Sequence, residues 1–387
     1  MARGFGETEC LIFSDNYEDA ARRLSGYSVS IIAGYPFISA HAAYVHVHNI
    51  TEIAGLASVR AITGQSKVYT LEGESFFASL DSSASPQNDN SGNDQPMPLF
   101  TRAEHLYCGV YAAHMAGNYG TGCTIAVIDT GLMPHLDFVM PCDRIAAFAD
   151  FVDGEYYPVD NFGHGTAVAS IACGNGLVSN RKYTGVAPKS RVIGLRAIGD
   201  KGEGGAFKIL ESMQWIIDNR DEYNIRVVCM SFGAKPQEID PIVIGAEALW
   251  DAGIAVVASC GNAGPSAGTV MSPACSPKII SVGAVGKTDF GFYVPSFSSR
   301  GAADTFAPKP DIAAPAVGVT ACSAGDDFYA PFSGTSMAAP YVAGVCALLL
   351  EREPRFTPDK LKEILMTTAL RLPFEPSACG RGLVRLE

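Results

Sequence analysis

No stretch of this chain approaches the roughly 20 consecutive apolar residues that a membrane-spanning helix needs. The longest candidate, Met337 to Leu350, reads as a buried core helix instead. A basic cluster is missing as well. With 28 Lys and Arg against 40 Asp and Glu, a formal net charge of −12, the chain lacks the concentrated positive charge that a phosphate backbone attracts, which argues against nucleic acid as a partner. The eleven cysteines contain no CxxC pair and no zinc-ligand spacing. Their number is odd, and several sit inside apolar runs, such as Cys229 after Val227-Val228 and Cys346 after Gly344-Val345, where a thiol packs as a small hydrophobe. Reduced, structural cysteines are therefore expected rather than a disulfide framework. The segment Met1 to Cys10 has no apolar run of the secretory kind, so the expected compartment is the cytoplasm, with secretion by another route left open.

What the chain does have is 387 residues, 48% of them apolar, and 40 glycines, enough for one large α/β domain and a small companion. Residues 1–80 form the candidate companion, a small α+β unit. Cys10 to Phe13 is strand-like, Tyr17 to Leu24 is a short helix opened by Asp15 or Asn16, and Ala42 to His48 alternates as a half-buried strand does. A helix from Ile50 to Ala57 then leads to a strand at Val59 to Ile62. Residues 81–98 are almost wholly Asp, Ser, Asn, Gln, Gly and Pro, a composition that cannot offset the entropy of ordering and predicts a linker open to proteolysis. Residues 99–387 are the candidate main domain. The runs Ile125–Ile128, Val192–Leu195, Ile225–Met230, Ile254–Ala258 and Ile279–Val282 are apolar but for Arg226 and Ser281, as strands of a parallel sheet covered on both faces are. Helical spacing at Ile209, Leu210, Met213, Ile216 and Ile217 supplies one covering layer, and Thr357-Pro358 is an N-cap followed by proline at the first helical position. The expected fold is a doubly wound parallel α/β sheet preceded by a small α+β domain.

Three motifs within that domain carry chemistry. Asp129 closes the run Ala126-Val127-Ile128, at the carboxyl end of a strand where open α/β sheets place functional groups. His164 stands in Asn161-Phe162-Gly163-His164-Gly165-Thr166, at a helix start flanked by residues small enough to admit a substrate. Ser336 stands in Gly334-Thr335-Ser336-Met337-Ala338-Ala339-Pro340 and opens an apolar helix, whose positive dipole end favours a developing oxyanion. Singly, these residues read as a strand-end Asp, a packed His and a Ser N-cap. Together they are the parts of a nucleophilic hydrolase: a hydroxyl attacks only when an imidazole takes its proton, and the imidazole needs a carboxylate to fix its tautomer.

Other motifs carry less. Gly264-Pro265-Ser266-Ala267-Gly268 matches G-x-S-x-G, but that fold needs its His after the Ser, and all seven histidines precede Ser266. Gly202-Glu203-Gly204-Gly205 lacks the Lys-Ser/Thr of a phosphate loop, and His46-Val47-His48 suggests a metal only if a third ligand exists.

The order Asp, His, Ser and the Gly-Thr-Ser-Met-Ala-Ala-Pro block resemble the subtilisin-like serine proteases, the subtilases, from about residue 100 onward. The resemblance implies a serine endopeptidase in which Ser336 attacks, His164 is base and then acid, and Asp129 orients it. It implies that Asn262 is the oxyanion-hole donor, and that Gly202, Glu203, Gly204, Ser231, Phe232 and Gly233 pair with an extended peptide. It further implies that Ser259, Cys260 and Gly261 wall the pocket for the residue before the scissile bond, with Met271 near its floor. The N-terminal unit would then be an inhibitory propeptide released by the enzyme's own cut. No cofactor is implied. Asp137 occupies a position where many subtilases bind calcium, but the facing loop carries Arg181 and Lys182, so no metal is assigned. A catalytically quiet subtilase-shaped binding protein, a narrow-specificity maturation protease and an esterase remain the alternatives.

Overall fold

The computed structural model of the chain describes residues 7–71, 103–301, 308–325 and 327–387; the expected linker at 81–98 lies outside them. Strands β1 (Glu7–Ser14), β2 (Val29–Tyr35), β3 (Ala40–His46) and β4 (Val59–Gly64) form an antiparallel sheet in the order β2-β3-β1-β4. Strand periodicity sends alternate residues of β1 to opposite faces. Cys10 and Ile12 join Leu24, Ala43, Val45 and Ile53 in a core private to this unit, beneath helices Tyr17–Leu24 and Ile50–Ala54. Leu11 and Phe13 face the other way and join the main core of the molecule. Asn16 caps the first helix through the Asp19 N–H. The second helix stops at Ala54, short of the expected Ala57, because Gly55 takes the C-cap; strand β3 ends at His46, and Val47–Asn49 turn into a 3₁₀ helix. Strand β2 and the short β5 (Lys67–Thr70) were not foreseen.

The main domain is built on an eight-stranded sheet. Its path is β14 (Gly291–Tyr293), β13 (Ile280–Thr288), β12 (Ala255–Ser259), β10 (Ile225–Met230), β6 (Thr124–Asp129), β8 (Arg191–Arg196), β7 (Ile145–Asp150), with β15 (Ile312–Pro315) beside β13. All pairs are parallel except β13–β14. The apolar runs are buried from end to end, as strands covered by helices on both faces must be. Helices Ala206–Tyr223 and Pro241–Asp251 cover one face; helices His164–Cys173 and Thr335–Arg352 pack together on the other. Asp240 caps the helix that Pro241 opens, and Thr357 caps the one that Pro358 opens, as the N-cap and proline pattern predicts.

Two smaller pairings shape the groove beside the main sheet. Strand β16 (Val319–Cys322) and β17 (Tyr329–Phe332) form a hairpin just before Ser336. Strand β5 lies between β9 (Glu203–Gly205) and β11 (Phe232–Ala234), antiparallel to both, so the chain leaving the N-terminal unit is stitched into the main domain by its backbone.

Candidate active site

Asp129 ends β6, and His164 begins the helix His164–Cys173. The His164 Nδ1 lies 2.7 Å from Asp129 Oδ1, with both side chains buried. A carboxylate on Nδ1 leaves Nε2 as the working nitrogen. The same carboxylate oxygen accepts the Thr130 N–H at 2.8 Å. Beneath this pair lies a second buried carboxylate, Asp160, which sequence reasoning missed. It accepts from Thr130 Oγ1 (2.8 Å), Gly163 N (2.8 Å), Thr166 N (2.8 Å) and Thr166 Oγ1 (2.6 Å), while Thr130 Oγ1 accepts the Gly165 N–H at 2.9 Å. Asp160 thereby locks the loop after Asp129 to the helix start that bears His164. An acidic residue three positions before a helix-opening Gly-His-Gly was the available signal, as an anchor for unpaired N–H groups at a helix start.

Ser336 is the second residue of the helix Thr335–Arg352 and is fully buried. Its Oγ lies 2.8 Å from the Leu71 carbonyl oxygen and 3.0 Å from that of Ser231. The role of Ser231 follows from Pro340. A proline has no N–H to give to the carbonyl four residues back, so the Ser336 carbonyl loses its helical donor. The Ser231 hydroxyl supplies one at 2.9 Å.

Asn262 follows β12. Its Oδ1 accepts from Thr335 N (3.0 Å) and Thr335 Oγ1 (2.9 Å), which fixes the amide so that Nδ2 points the other way and donates to the Leu71 carbonyl at 2.7 Å. The Leu71 carbonyl therefore sits between the hydroxyl of Ser336 and the amide of Asn262. Thr335, not singled out from sequence, also accepts the Gly261 N–H at 3.2 Å.

The residues before Leu71 run as an extended strand through the groove. Val68, Tyr69 and Thr70 register with Ala234, Gly233 and Phe232 on one side, and Lys67, Val68 and Tyr69 with Gly205, Gly204 and Glu203 on the other. The Thr70 N–H donates to the Gly202 carbonyl at 2.9 Å. Gly202 has φ +70°, and a Cβ there would lie 2.6 Å from Thr70 Oγ1, so only glycine lets the two backbones meet. A Cβ on Gly233 would lie 3.1 Å from Leu71 Cδ2 and 2.9 Å from Met271 Sδ. Leu71 and Met271 thus share one pocket, with Gly233 leaving it open. Ser259 and Cys260 are buried behind it, and burial pushes the Cys260 thiol up to about 12, so it is a neutral wall and not a nucleophile.

Ser266 is exposed in a bend region and takes no part in this geometry. Asp137 is buried and binds the facing loop directly, accepting Gly176 N and Val178 N at 3.1 Å each. None of the eleven cysteines forms a disulfide, and nine are buried.

The subtilase family model matches residues 120–382. The chain is 37% identical over 295 residues to serine protease AprX of Bacillus subtilis (strain 168), an alignment covering 69% of this chain and 66% of that one. It is 34% identical over 277 residues to Subtilisin Savinase of Lederbergia lenta, covering 71% of this chain and 93% of that one. Among solved structures it matches fervidolysin from Fervidobacterium pennivorans, described as a keratinolytic enzyme related to subtilisin, with a TM-score of 0.76 at 20% identity over 98% of this chain and 60% of that one. At that identity the last match speaks to the fold alone.

Proposed function

The chain belongs to the subtilase family of serine proteases, and from that premise we propose that it is a serine endopeptidase that cuts itself after Leu71. Ser336 attacks the carbonyl carbon, His164 takes the hydroxyl proton and returns it to the leaving amine, and Asp129 holds the imidazole in the required tautomer. Asn262 and the Ser336 N–H stabilise the oxyanion. The observation that carries this reading is the Leu71 carbonyl, 2.8 Å from Ser336 Oγ and 2.7 Å from Asn262 Nδ2, at the end of a strand paired on both sides. Such an arrangement supports the reading of a peptide strand held for cleavage. Main-chain pairing recognises any extended peptide, so protein substrates of varied sequence fit the same groove.

The unit 7–71 acts in this reading as an intramolecular inhibitor. Its second face is buried against the main domain, where Tyr35 donates to the Phe207 carbonyl at 3.2 Å, so cutting the chain at Leu71 leaves the unit bound as a tight competitor. The test is the N-terminal residue of the purified protein beside that of Ser336→Ala. The wild type should begin a new chain at Glu72, and the variant should remain at 40.8 kDa. An intact wild type that hydrolyses peptides would leave the peptidase reading standing and refute the self-cut.

A further inference from the structure

One cluster of buried side chains lies outside the catalytic geometry and takes no part in the peptide cut. His135 and Asp137 sit on the turn and short helix that follow β6, and Cys322 ends β16, far off in sequence. All three are buried. Cys322 Sγ lies 3.3 Å from His135 Nδ1 and 3.6 Å from Asp137 Oδ2, and His135 Nδ1 lies 3.9 Å from Asp137 Oδ1. A tetrahedral ion with bonds of about 2.0–2.3 Å spaces its ligand atoms by roughly 3.3–3.8 Å. The distances from sulfur to nitrogen and to the Oδ2 of Asp137 fall in that range, and the distance from His135 to the other carboxylate oxygen lies just above it.

The charges point the same way. Asp137 is a fully buried carboxylate, and among the described residues no Lys or Arg side chain forms an ion pair with it. Its donors are neutral: the N–H groups of Gly176 and Val178 at 3.1 Å and the Tyr329 hydroxyl at 2.7 Å. The nearby Arg144 guanidinium is directed instead at the main-chain carbonyls of Cys173, Ser190 and Asp137. Buried charges are ordinarily paired or coordinate a metal. His135 Nδ1 accepts the Asp137 N–H at 3.1 Å, so that nitrogen carries its lone pair and not its proton, the tautomer a metal ligand requires.

The geometry points to a binding site for a thiophilic divalent cation, zinc above all, held by His135 Nδ1, Asp137 and Cys322 Sγ. One sulfur, one imidazole and one carboxylate suit zinc, whereas calcium and magnesium take oxygen ligands. On binding, Cys322 loses its proton to solvent as the sulfur–metal bond forms, and His135 exchanges its contact with the Asp137 N–H for the ion. Water takes the fourth position. The Tyr329 hydroxyl and Gly176 N–H on Oδ2 and the Val178 N–H on Oδ1 orient the carboxylate, the outer shell such sites need. The ion would tie the turn after β6, whose strand carries Asp129, to the hairpin that runs into Ser336.

The experiment uses the full-length Ser336→Ala chain, which cannot digest itself. After dialysis against zinc and then metal-free buffer, elemental analysis should find one zinc per chain, and zinc should raise Tm by roughly 5 °C over the chelated protein. Cobalt should give a near-ultraviolet thiolate charge-transfer band that added calcium does not displace. Adding Cys322→Ser or Cys322→Ala should abolish the band and weaken zinc binding by about 100-fold or more, while Cys142→Ser, at an exposed thiol, should change neither. Cooperative melting of the metal-free variants checks that they fold. No bound zinc and no cobalt band, or a band that survives the loss of Cys322, overturns the proposal.

Discussion

The hydroxyl of Ser336 and the carbonyl of Leu71, 265 positions apart in the chain, lie 2.8 Å from one another. This contact joins the N-terminal unit to Ser336, and in the proposed reading Leu71 stands immediately before the bond to be cut. The side chain of Leu71 is buried in the pocket beside Met271, and Val68, three residues earlier, is fully buried as well. Replacing Leu71 by Asp puts a charge into that pocket. We expect Leu71→Asp to slow the self-cut at least tenfold and Leu71→Ala to slow it less, followed by the appearance of the new N-terminus on a gel. Equal rates in all three proteins would refute Leu71 as the residue before the cut.

Removing Ser336, His164 or Asp129 singly should abolish most peptide hydrolysis, and pairwise removal should cost little more than one, since the three work as a unit. Asn262→Ala should lower turnover by about 10²–10³ with little change in KM, the magnitude known for the corresponding donor of subtilisin itself. Steady-state kinetics on one peptide measures both. A rise in KM alone would mean that Asn262 binds the ground state only.

Much of this site was legible in the sequence because its parts are local signals. The apolar run ending in Asp129, the glycines around His164 and the block around Ser336 each announce a strand end or helix start within six or eight residues. The parts that were not legible are long-range. Lys67–Thr70 has no marked strand pattern, and becomes β5 only because β9 and β11 offer it backbone partners on both sides. Ser231, expected only to pair with a peptide, gains its further role when the Ser336 carbonyl, stripped of its donor by Pro340, is brought against its hydroxyl. Cys322, His135 and Asp137 meet only through the fold. In the N-terminal unit Leu11 and Cys10 look equally buried by pattern, yet they belong to different cores.

Asp160 holds four donors in a space closed to water, and an amide at that position can accept at only one of its two ends. Asp160→Asn should therefore destabilise the protein by roughly 2–4 kcal/mol through stranded donors. It should also lower turnover, because the Asp129 loop and the His164 helix start lose their common anchor. Denaturant melts and kinetics on the same preparation test this. Lost stability with unchanged turnover would make Asp160 a purely structural residue.

Lys309 is fully buried, and burial pushes its amine down to about 8, opposed by Asp311 at 2.7 Å and reinforced by the neighbouring Lys362. A base with a depressed value is protonated in the unfolded chain at a pH where the folded chain leaves it neutral. Between about pH 8 and 10.5 the unfolded state thus binds more protons, and this residue makes stability rise with pH by up to roughly 3 kcal/mol across the window. Below pH 8 both states are charged and the cost is constant. In a Ser336→Ala background, Lys309→Met should flatten that rise, with Asp311 still paired to Lys362 at 3.1 Å. Parallel denaturation midpoints with and without the change, at pH 7.5, 9 and 10.5, would sink the assignment.

If Leu71 stands before the scissile bond, Met271 should set how far that pocket extends. Its Sδ stands 2.9 Å from where a Gly233 Cβ would be and its Cγ 2.7 Å from where a Gly261 Cβ would be, so the thioether fills the space between the two glycines, against Leu71. A leucine fits what remains. A phenyl ring needs volume that Met271 holds, and differences of this size in an apolar pocket are worth about 1–3 kcal/mol, or 10–200-fold in kcat/KM. The wild type should therefore prefer a peptide ending in Val-Tyr-Thr-Leu, the sequence of residues 68–71, over its Val-Tyr-Thr-Phe analogue. Met271→Gly removes the thioether and should narrow or reverse that ratio, chiefly by raising kcat/KM for Phe. The cavity it leaves costs stability, so both peptides are compared at a temperature where the variant is folded. If Phe is already favoured by the wild type and the ratio does not move in the variant, Met271 does not set the depth of the pocket.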